Sequence, residues 1–403
     1  MPAKFYFGAS TSSHQVEGGN HNNWTEWEKK NAARLSAESG GKYPPENYIS
    51  GRACDSYNRY EEDFDIAKSL GHNAHRFSIE WSRIEPVEGK FDEREIAHYR
   101  DVVRALRKRG LEPFVTLWHW TMPVWLDDRG GMEYRFFPFY FKRYAERVVE
   151  ALGDDVRFWV TINEPEVVTG NAFRYKRWPP QKQDWFAWYR AVKHLVYAHR
   201  EAYGAIKKRF PDARVGAVEN LVFFESGGGV VNDVMAAGAH FLRDRYFLNH
   251  IVAWSDFIGL NYYFHNRVYY GFGKNLNKEV TDMGWEIYPQ GLYKVLMDIA
   301  RYDRPVYILE NGLADARDEK RGLFITEHLA YVRKAMEAGV DVRGYFHWSL
   351  LDNFEWDAGF WPRFGLIEVD YKTMKRTVRP SAHVYKTIIE AWDKIHEDGG
   401  NKE

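Results

Sequence analysis

Thr161-Ile162-Asn163-Glu164-Pro165 and Tyr307-Ile308-Leu309-Glu310-Asn311-Gly312 are the two stretches that decide the fold. Each is an apolar run with β-branched residues. Each ends in a carboxylate and is then broken by Pro or Gly. Runs of this kind read as strands buried on both faces, as in a parallel sheet. Each strand would deliver a Glu to its carboxyl end. One such Glu alone reads as a solvated loop carboxylate. Two in matching contexts point to a shared site.

The same pattern recurs along the chain as strand, loop and amphipathic helix. Strands are expected near Phe5–Ala9, Ala74–Ile79, Glu112–Trp118, Arg157–Ile162, Arg214–Val218, Asp256–Leu260, Val306–Leu309 and Val342–His347. Helices are expected near Tyr60–Leu70, Asp92–Arg109, Phe139–Leu152, Trp185–Arg209, Asp233–Phe247, Gly291–Tyr302, Thr326–Ala338 and Ser381–Ile395. Gly71, Gly110, Gly153 and Gly339 stand where helices should stop. A polar stretch from the first strand to about Asn58 is too long for an ordinary connection and reads as functional. The alternation predicts an α/β fold, a closed (β/α)₈ TIM barrel in a single domain over residues 1–396, with a polar tail over 397–403. An open doubly wound sheet is the alternative. It lacks its phosphate loop here, because Phe7-Gly8-Ala9-Ser10 is no dinucleotide fingerprint and no P-loop motif occurs.

The bulk numbers exclude several classes. The 403 residues carry 56 basic and 57 acidic side chains, a net charge of −1. No basic stripe marks nucleic acid or anionic membrane as a partner. Mean hydropathy is −0.57, and no apolar run approaches the ~18 residues of a membrane span. Cys54 is the single cysteine, so no intrachain disulfide can form. Met1-Pro2-Ala3-Lys4 leads straight into the first strand, which leaves no room for a signal peptide and makes a reducing cytoplasm the expected compartment. The Asn23-Trp24-Thr25 sequon is then a chance match. Neither the His72/His75 nor the His194/His199 pair has acidic or sulfur companions at ligand spacing, so no metal or cofactor is expected. Asp63 and Asp65 read as the solvated face of a helix. Aromatics make up 17% of the chain, and flat rings with polar tips suit the faces of sugars. Net charge leaves the oligomeric state open.

A barrel places its chemistry at the carboxyl ends of its strands. That rule gathers Gln15, Arg76, His119, Glu164, Tyr263, Glu310 and Trp348 round one mouth. Two carboxyls about 5 Å apart are what retaining cleavage of a glycosidic bond requires, one as nucleophile and one as acid. Glu310 is expected as nucleophile, with Arg76 holding it ionised and Tyr263 donating to it. Glu164 is then the acid and later the base. Asn163 can contact a sugar hydroxyl beside the reacting carbon. Gln15, His119, Trp348 and Glu355 can satisfy the fixed hydroxyls of a pyranose, with Trp348 as stacking floor.

Several ordered segments carry a family resemblance. They are Phe7 to Gly18, Arg76-Phe77-Ser78-Ile79-Glu80-Trp81-Ser82-Arg83, Thr116-Leu117-Trp118-His119-Trp120, Thr161 to Pro165, Gly259-Leu260-Asn261-Tyr262-Tyr263, Glu310-Asn311-Gly312, Trp348 to Trp356 and Arg363-Phe364-Gly365. Together they resemble family 1 of the glycoside hydrolases, the β-glucosidase/β-glycosidase family. The resemblance implies the barrel, retention of configuration, Glu164 as acid/base and Glu310 as nucleophile. It implies a sugar pocket of Gln15, His119, Trp120, Asn163, Tyr263, Trp348, Glu355, Trp356 and Phe364, and Asn261 is counted with these binding residues. Asn22 to Glu28 resembles thermophile and archaeal-type members. Glu164 stands where the plant thioglucosidase branch has Gln. Glu355 stands where the 6-phosphoglycosidase branch has a Ser-containing phosphate loop, and a carboxylate there would repel a phosphate. Leu309, His75 and Met132 depart from the frequent Thr, Tyr and Trp, and the chain is shorter than most relatives. These departures bear on the aglycone side. The expected activity is exo-acting removal of terminal β-D-glucosyl units from a small β-glycoside or oligosaccharide, with galactosyl and fucosyl units as side activities. A sugar-binding pseudoenzyme and a 6-phospho-β-glycosidase are the alternatives.

Overall fold

The structure, a computed structural model, describes residues 4–399. Eight parallel strands close a barrel: β1 (Tyr6–Ser10), β2 (Ala74–Ser78), β3 (Glu112–Trp118), β4 (Phe158–Asn163), β5 (Arg214–Asn220), β6 (Ile258–Tyr262), β7 (Val306–Asn311) and β8 (Val342–Trp348). They follow one another round the barrel in chain order, and β8 pairs with β1 from Tyr6↔Gly344 to Ser10↔Trp348. Every strand falls within two residues of its expected place. Closure rules out the open sheet.

The amino-terminal half of the barrel is filled by side chains. Tyr6, Ala74, Phe114, Phe158, Val160, Val218, Tyr307, Leu309 and Phe346 form one buried cluster with Phe257. Phe114 and Phe158 stack with ring centres 4.2 Å apart. Chemistry is thereby confined to the other end. Strict alternation from Val160 and Leu309 would turn Asn163 and Glu310 away from the axis. Register irregularities intervene. One lies between Val160 and Asn163 against β5, and the other pairs Ile308 with Leu260 but Glu310 with Asn261. An extra residue in a strand re-aims the side chains beyond it, and here it turns both into the mouth.

Four differences from the sequence reading matter. The polar stretch after β1 contains a helix, Asn23–Glu38, started by a capping box in which Asn22 accepts from the Thr25 backbone N–H and Thr25 bonds back. Its Trp24 ring lies 4.6 Å from Trp356, so this helix walls the mouth. Asn23 is buried there and accepts from the Met122 N–H, which removes the sequon from solvent. After β5 the chain does not form one helix. It runs through Val230–Ala239, a wide turn at His240–Arg245 and Tyr246–Ile251, while Phe223–Ser226 and His265–Val268 pair as a small parallel sheet beyond the barrel. Asp63 is not a solvated residue. It is buried against Arg376 at 2.9 Å, because the C-terminal segment covers that face, whereas Asp65 is exposed. The last helix runs Pro380–Gly399, into the expected tail, and residues 400–403 lie outside the described residues. No helix among the described residues is long and apolar enough to cross a membrane.

The Phe114 ring touches Tyr6, Phe158, Tyr307 and Phe346. Phe114→Ala should therefore cost about 3–5 kcal/mol in a denaturant titration. A loss below about 1 kcal/mol would mean that the aromatic plug does not hold the barrel closed.

Candidate active site

Glu310 is delivered by β7 and is buried at the barrel axis. The Arg76 guanidinium from β2 pairs with its Oε1, and the Tyr263 hydroxyl donates to its Oε2 at 2.6 Å. Arg76 is itself oriented from both sides. Its Nε donates to Thr116 Oγ1 at 3.0 Å and its Nη2 to Asn163 Oδ1 at 2.6 Å. Desolvation of a charge this deep is costly unless it is paired in good geometry, and these contacts supply that pairing. Burial raises the Glu310 carboxyl above its ordinary range, while Arg76 and Tyr263 pull it back.

Glu164 follows β4 in a left-handed backbone conformation, φ 44°. Such a conformation costs a non-glycine residue about 1–3 kcal/mol and persists only where the surroundings impose it. Here its N–H donates to the Val218 carbonyl at 2.8 Å, and Pro165 opens a short helix, Pro165–Thr169. Its Oε1 accepts from Asn220 Nδ2 at 3.0 Å and Asn261 Nδ2 at 2.7 Å. Neutral amides hold an ionised carboxylate less firmly than a guanidinium does. Burial first, and the nearby Glu310 second, push Glu164 up to about 7. The two carboxyls are thus set apart, with Glu310 the first to ionise and Glu164 keeping its proton to near neutrality.

Glu355 is a third carboxyl at the mouth, half-buried and held at 3.2 Å by Gln15 Nε2. Burial, Glu310 and Glu164 lift it to about 8. At neutral pH it is therefore largely a neutral hydrogen-bonding group. His119 is kept neutral by burial and by Arg76, and its ring lies near-parallel to Trp348 and Trp356 at 6.1 and 5.9 Å. Trp348 packs with Tyr263 and Phe364.

These groups open onto a cavity of about 300 Å³, the size range of small-ligand sites. Gln15, His119, Trp120, Glu164, Tyr263, Glu310, Trp348, Glu355, Trp356 and Phe364 border it. Arg76, Asn163 and Asn261 lie behind them. Asn163 meets Arg76 and the His119 ring (3.2 Å), and Trp120 Nε1 donates to its carbonyl at 2.8 Å. The sequence reading missed Asn220. The signal was available, since β5 was the one strand to which no mouth residue had been assigned. Trp285, Met283, Arg174 and Arg243 also border the cavity, and they come from long connections whose course no periodicity gives. Among the described residues no group of three or more His, Cys, Asp or Glu could hold a metal ion.

The model of glycosyl hydrolase family 1 matches residues 1–258 and 247–394. The chain belongs to this family. It is 33% identical to β-glucosidase A of Thermotoga maritima, over 96% of this chain and 97% of that protein. It is 31% identical to a β-galactosidase of Pyrococcus woesei, over 96% of this chain and 97% of that one. Among solved structures, the β-glycosidase from Pyrococcus horikoshii superposes with a TM-score of 0.87 at 38% identity, covering 96% of this chain and 95% of the other. The protein is an O-glycosyl hydrolase of family 1, as the sequence resemblance implied.

Replacing Arg76 by Met strands the buried Glu310 without a cation. Denaturation should show a loss of about 3–5 kcal/mol at pH 7. In that variant the folded-state pKa of Glu310, already raised by burial, climbs further above its unfolded value. Stability is then fully present below the unfolded pKa and lost as pH climbs, so the deficit should shrink between pH 7 and pH 5. A deficit that stays constant or grows on acidification would contradict the pairing.

Proposed function

We propose that this hydrolase is a retaining, exo-acting β-glycosidase that removes terminal β-D-glucosyl units through a covalent intermediate on Glu310. The observation that carries the reading is the asymmetry of the two buried carboxyls. Glu310 has a guanidinium in contact, and Glu164 has only amides and is pushed up to about 7. A nucleophile must be ionised and a general acid must hold a proton at the same pH. In the first step Glu310 attacks the anomeric carbon while Glu164 gives its proton to the leaving oxygen. In the second, Glu164 takes a proton from water, which attacks the same carbon and releases Glu310. Tyr263 holds the Glu310 carboxyl in line. Gln15, Glu355, His119 and Trp120 read the hydroxyls, and Trp348 and Phe364 face the ring. A cavity that closes behind the sugar favours attack on chain ends. Galactosyl and fucosyl units differ from glucosyl at single hydroxyl positions and are expected as lesser substrates. The likeness to both a β-glucosidase and a β-galactosidase supports that breadth.

Initial rates on nitrophenyl β-glucoside, β-galactoside, β-fucoside, β-mannoside, α-glucoside and 6-phospho-β-glucoside, with the product anomer read by NMR, test the proposal. β-Glucoside release with the β-anomer formed first is the expected result. Inversion, or cleavage of the 6-phospho substrate alone, would overturn it.

Activity also has a defined pH dependence. kcat/KM should rise as Glu310 loses its proton and fall through about pH 7 as Glu164 loses its own. Glu164→Ala should abolish the upper limb and damage poor leaving groups far more than nitrophenolate. An equal loss on both would remove Glu164 from the acid role.

A further inference from the structure

The connection from β5 to β6 carries a helix whose faces are reversed. Val230, Val231, Val234, Phe241 and Leu242 lie on the outside of the helix Val230–Ala239 and the turn after it, from 50% exposed at Phe241 to 78% at Val230. Val230, Val234, Ala237 and Phe241 follow at four-, three- and four-residue steps, the seam spacing of packed helices, and all four are exposed. The inner side is polar and engaged. Asn232 is buried, accepts from the Tyr270 N–H at 2.7 Å and donates to the Gly228 carbonyl at 2.7 Å. Asp244 is buried against His240 at 2.9 Å and accepts from the Val222 N–H at 3.2 Å. A helix that faces water does the reverse. Exposed Tyr269 and Tyr270 extend the patch where Tyr270 meets Asn232, and exposed Phe272 extends it through Phe224, whose ring lies against His240. An aromatic side chain covers about 150–250 Å², so the exposed parts of these eight large side chains come to roughly 800 Å², what each partner gives to a standard interface. Patches beyond a few hundred Å² mark interaction sites.

We infer that this stripe is covered by the same stripe of a second copy of the chain, the two helices crossing antiparallel about a twofold axis at Ala237 and Gly238. A twofold interface needs a surface that matches itself. Ala237 and Gly238 stand at the centre of the stripe, both exposed, and a Cβ built on Gly238 meets nothing within 4 Å. Small residues at a crossing let two helix axes approach closely. No charge interrupts the stripe. Asp233 accepts from Ser226 at 2.5 Å, Arg243 donates to the Asn220 carbonyl at 3.0 Å, and Arg245 pairs with Asp298 at 2.6 Å. The segment Val230–Arg245 thus offers no unengaged Lys or Arg to an anionic lipid surface. Arg243 also borders the catalytic cavity, which places the interface at its rim.

Sedimentation velocity of the full chain, diluted from about 100 µM to about 1 µM, tests this. The wild type should sediment at twice the 47.5 kDa chain mass. Gly238→Glu and Val234→Glu should each weaken association about a hundredfold or more, because like charges then meet across the axis. Gly238→Glu should keep the wild-type circular dichroism, since the space beside Gly238 is open. If Val234→Glu fails to fold, the Gly238 variants decide alone. Mixing Gly238→Glu with Gly238→Lys should restore the dimer by pairing opposite charges. A wild type that is monomeric at the highest concentration, a dimer indifferent to both substitutions, or a mixed pair that does not associate would overturn the inference. A monomeric wild type that floats with phosphatidylglycerol vesicles would overturn it too, and would give the stripe to a lipid surface.

Discussion

The Arg76–Glu310 pair at the barrel axis is the interaction on which the rest of the site depends. Three carboxyls, Glu310, Glu164 and Glu355, border one cavity, the first two of them buried, and the Arg76 guanidinium is in contact with only Glu310. Mutual repulsion and burial push charge out of such a space. The cation decides where the remaining negative charge sits. Glu310 carries it, and that charge in turn helps keep protons on Glu164 and Glu355. A single buried contact thus assigns opposite protonation states to chemically identical side chains. Asn163 and Thr116 matter because they aim Arg76, and Tyr263 because it occupies the second Glu310 oxygen.

The fold makes this arrangement affordable. The aromatic plug around Phe114 and Phe158 fills the amino-terminal half of the barrel, so the strands can end in polar residues without hollowing the core. The irregular steps in β4 and β7 matter as much as the barrel itself. Without them Asn163 and Glu310 would point among the surrounding helices, where a charge has no partner. Glu164 bears a left-handed backbone, and the Val218 carbonyl and Pro165 hold it there.

Much of this was legible in the sequence. Short apolar runs, two of them broken by Pro or Gly, located every barrel strand, because burial on both faces leaves a composition signal that needs no tertiary context. The rule that chemistry lies past strand ends then collected Gln15, Arg76, His119, Glu164, Tyr263, Glu310 and Trp348. What escaped was set by long-range packing. Asp63 looked solvated on its own helix, and only the returning Arg376 buries it. Nothing local shows that Arg76 reaches Asn163. The helix over Asn23–Glu38 was announced by its capping box at Asn22 and Thr25, but its Gly- and Asn-rich surroundings obscured it. The direction in which β7 turns Glu310 was beyond sequence reading, since alternation alone predicts the opposite face.

The central claim is that Glu310 becomes covalently attached to the sugar. The most direct measurement is to incubate the enzyme with 2-deoxy-2-fluoro-β-glucosyl fluoride, which slows the second step more than the first, and to map the modified peptide by mass spectrometry. The account predicts one fluorosugar per chain, carried on Glu310. A label on Glu164 or Glu355, or turnover of the β-glucoside with no covalent species under any condition, would contradict it.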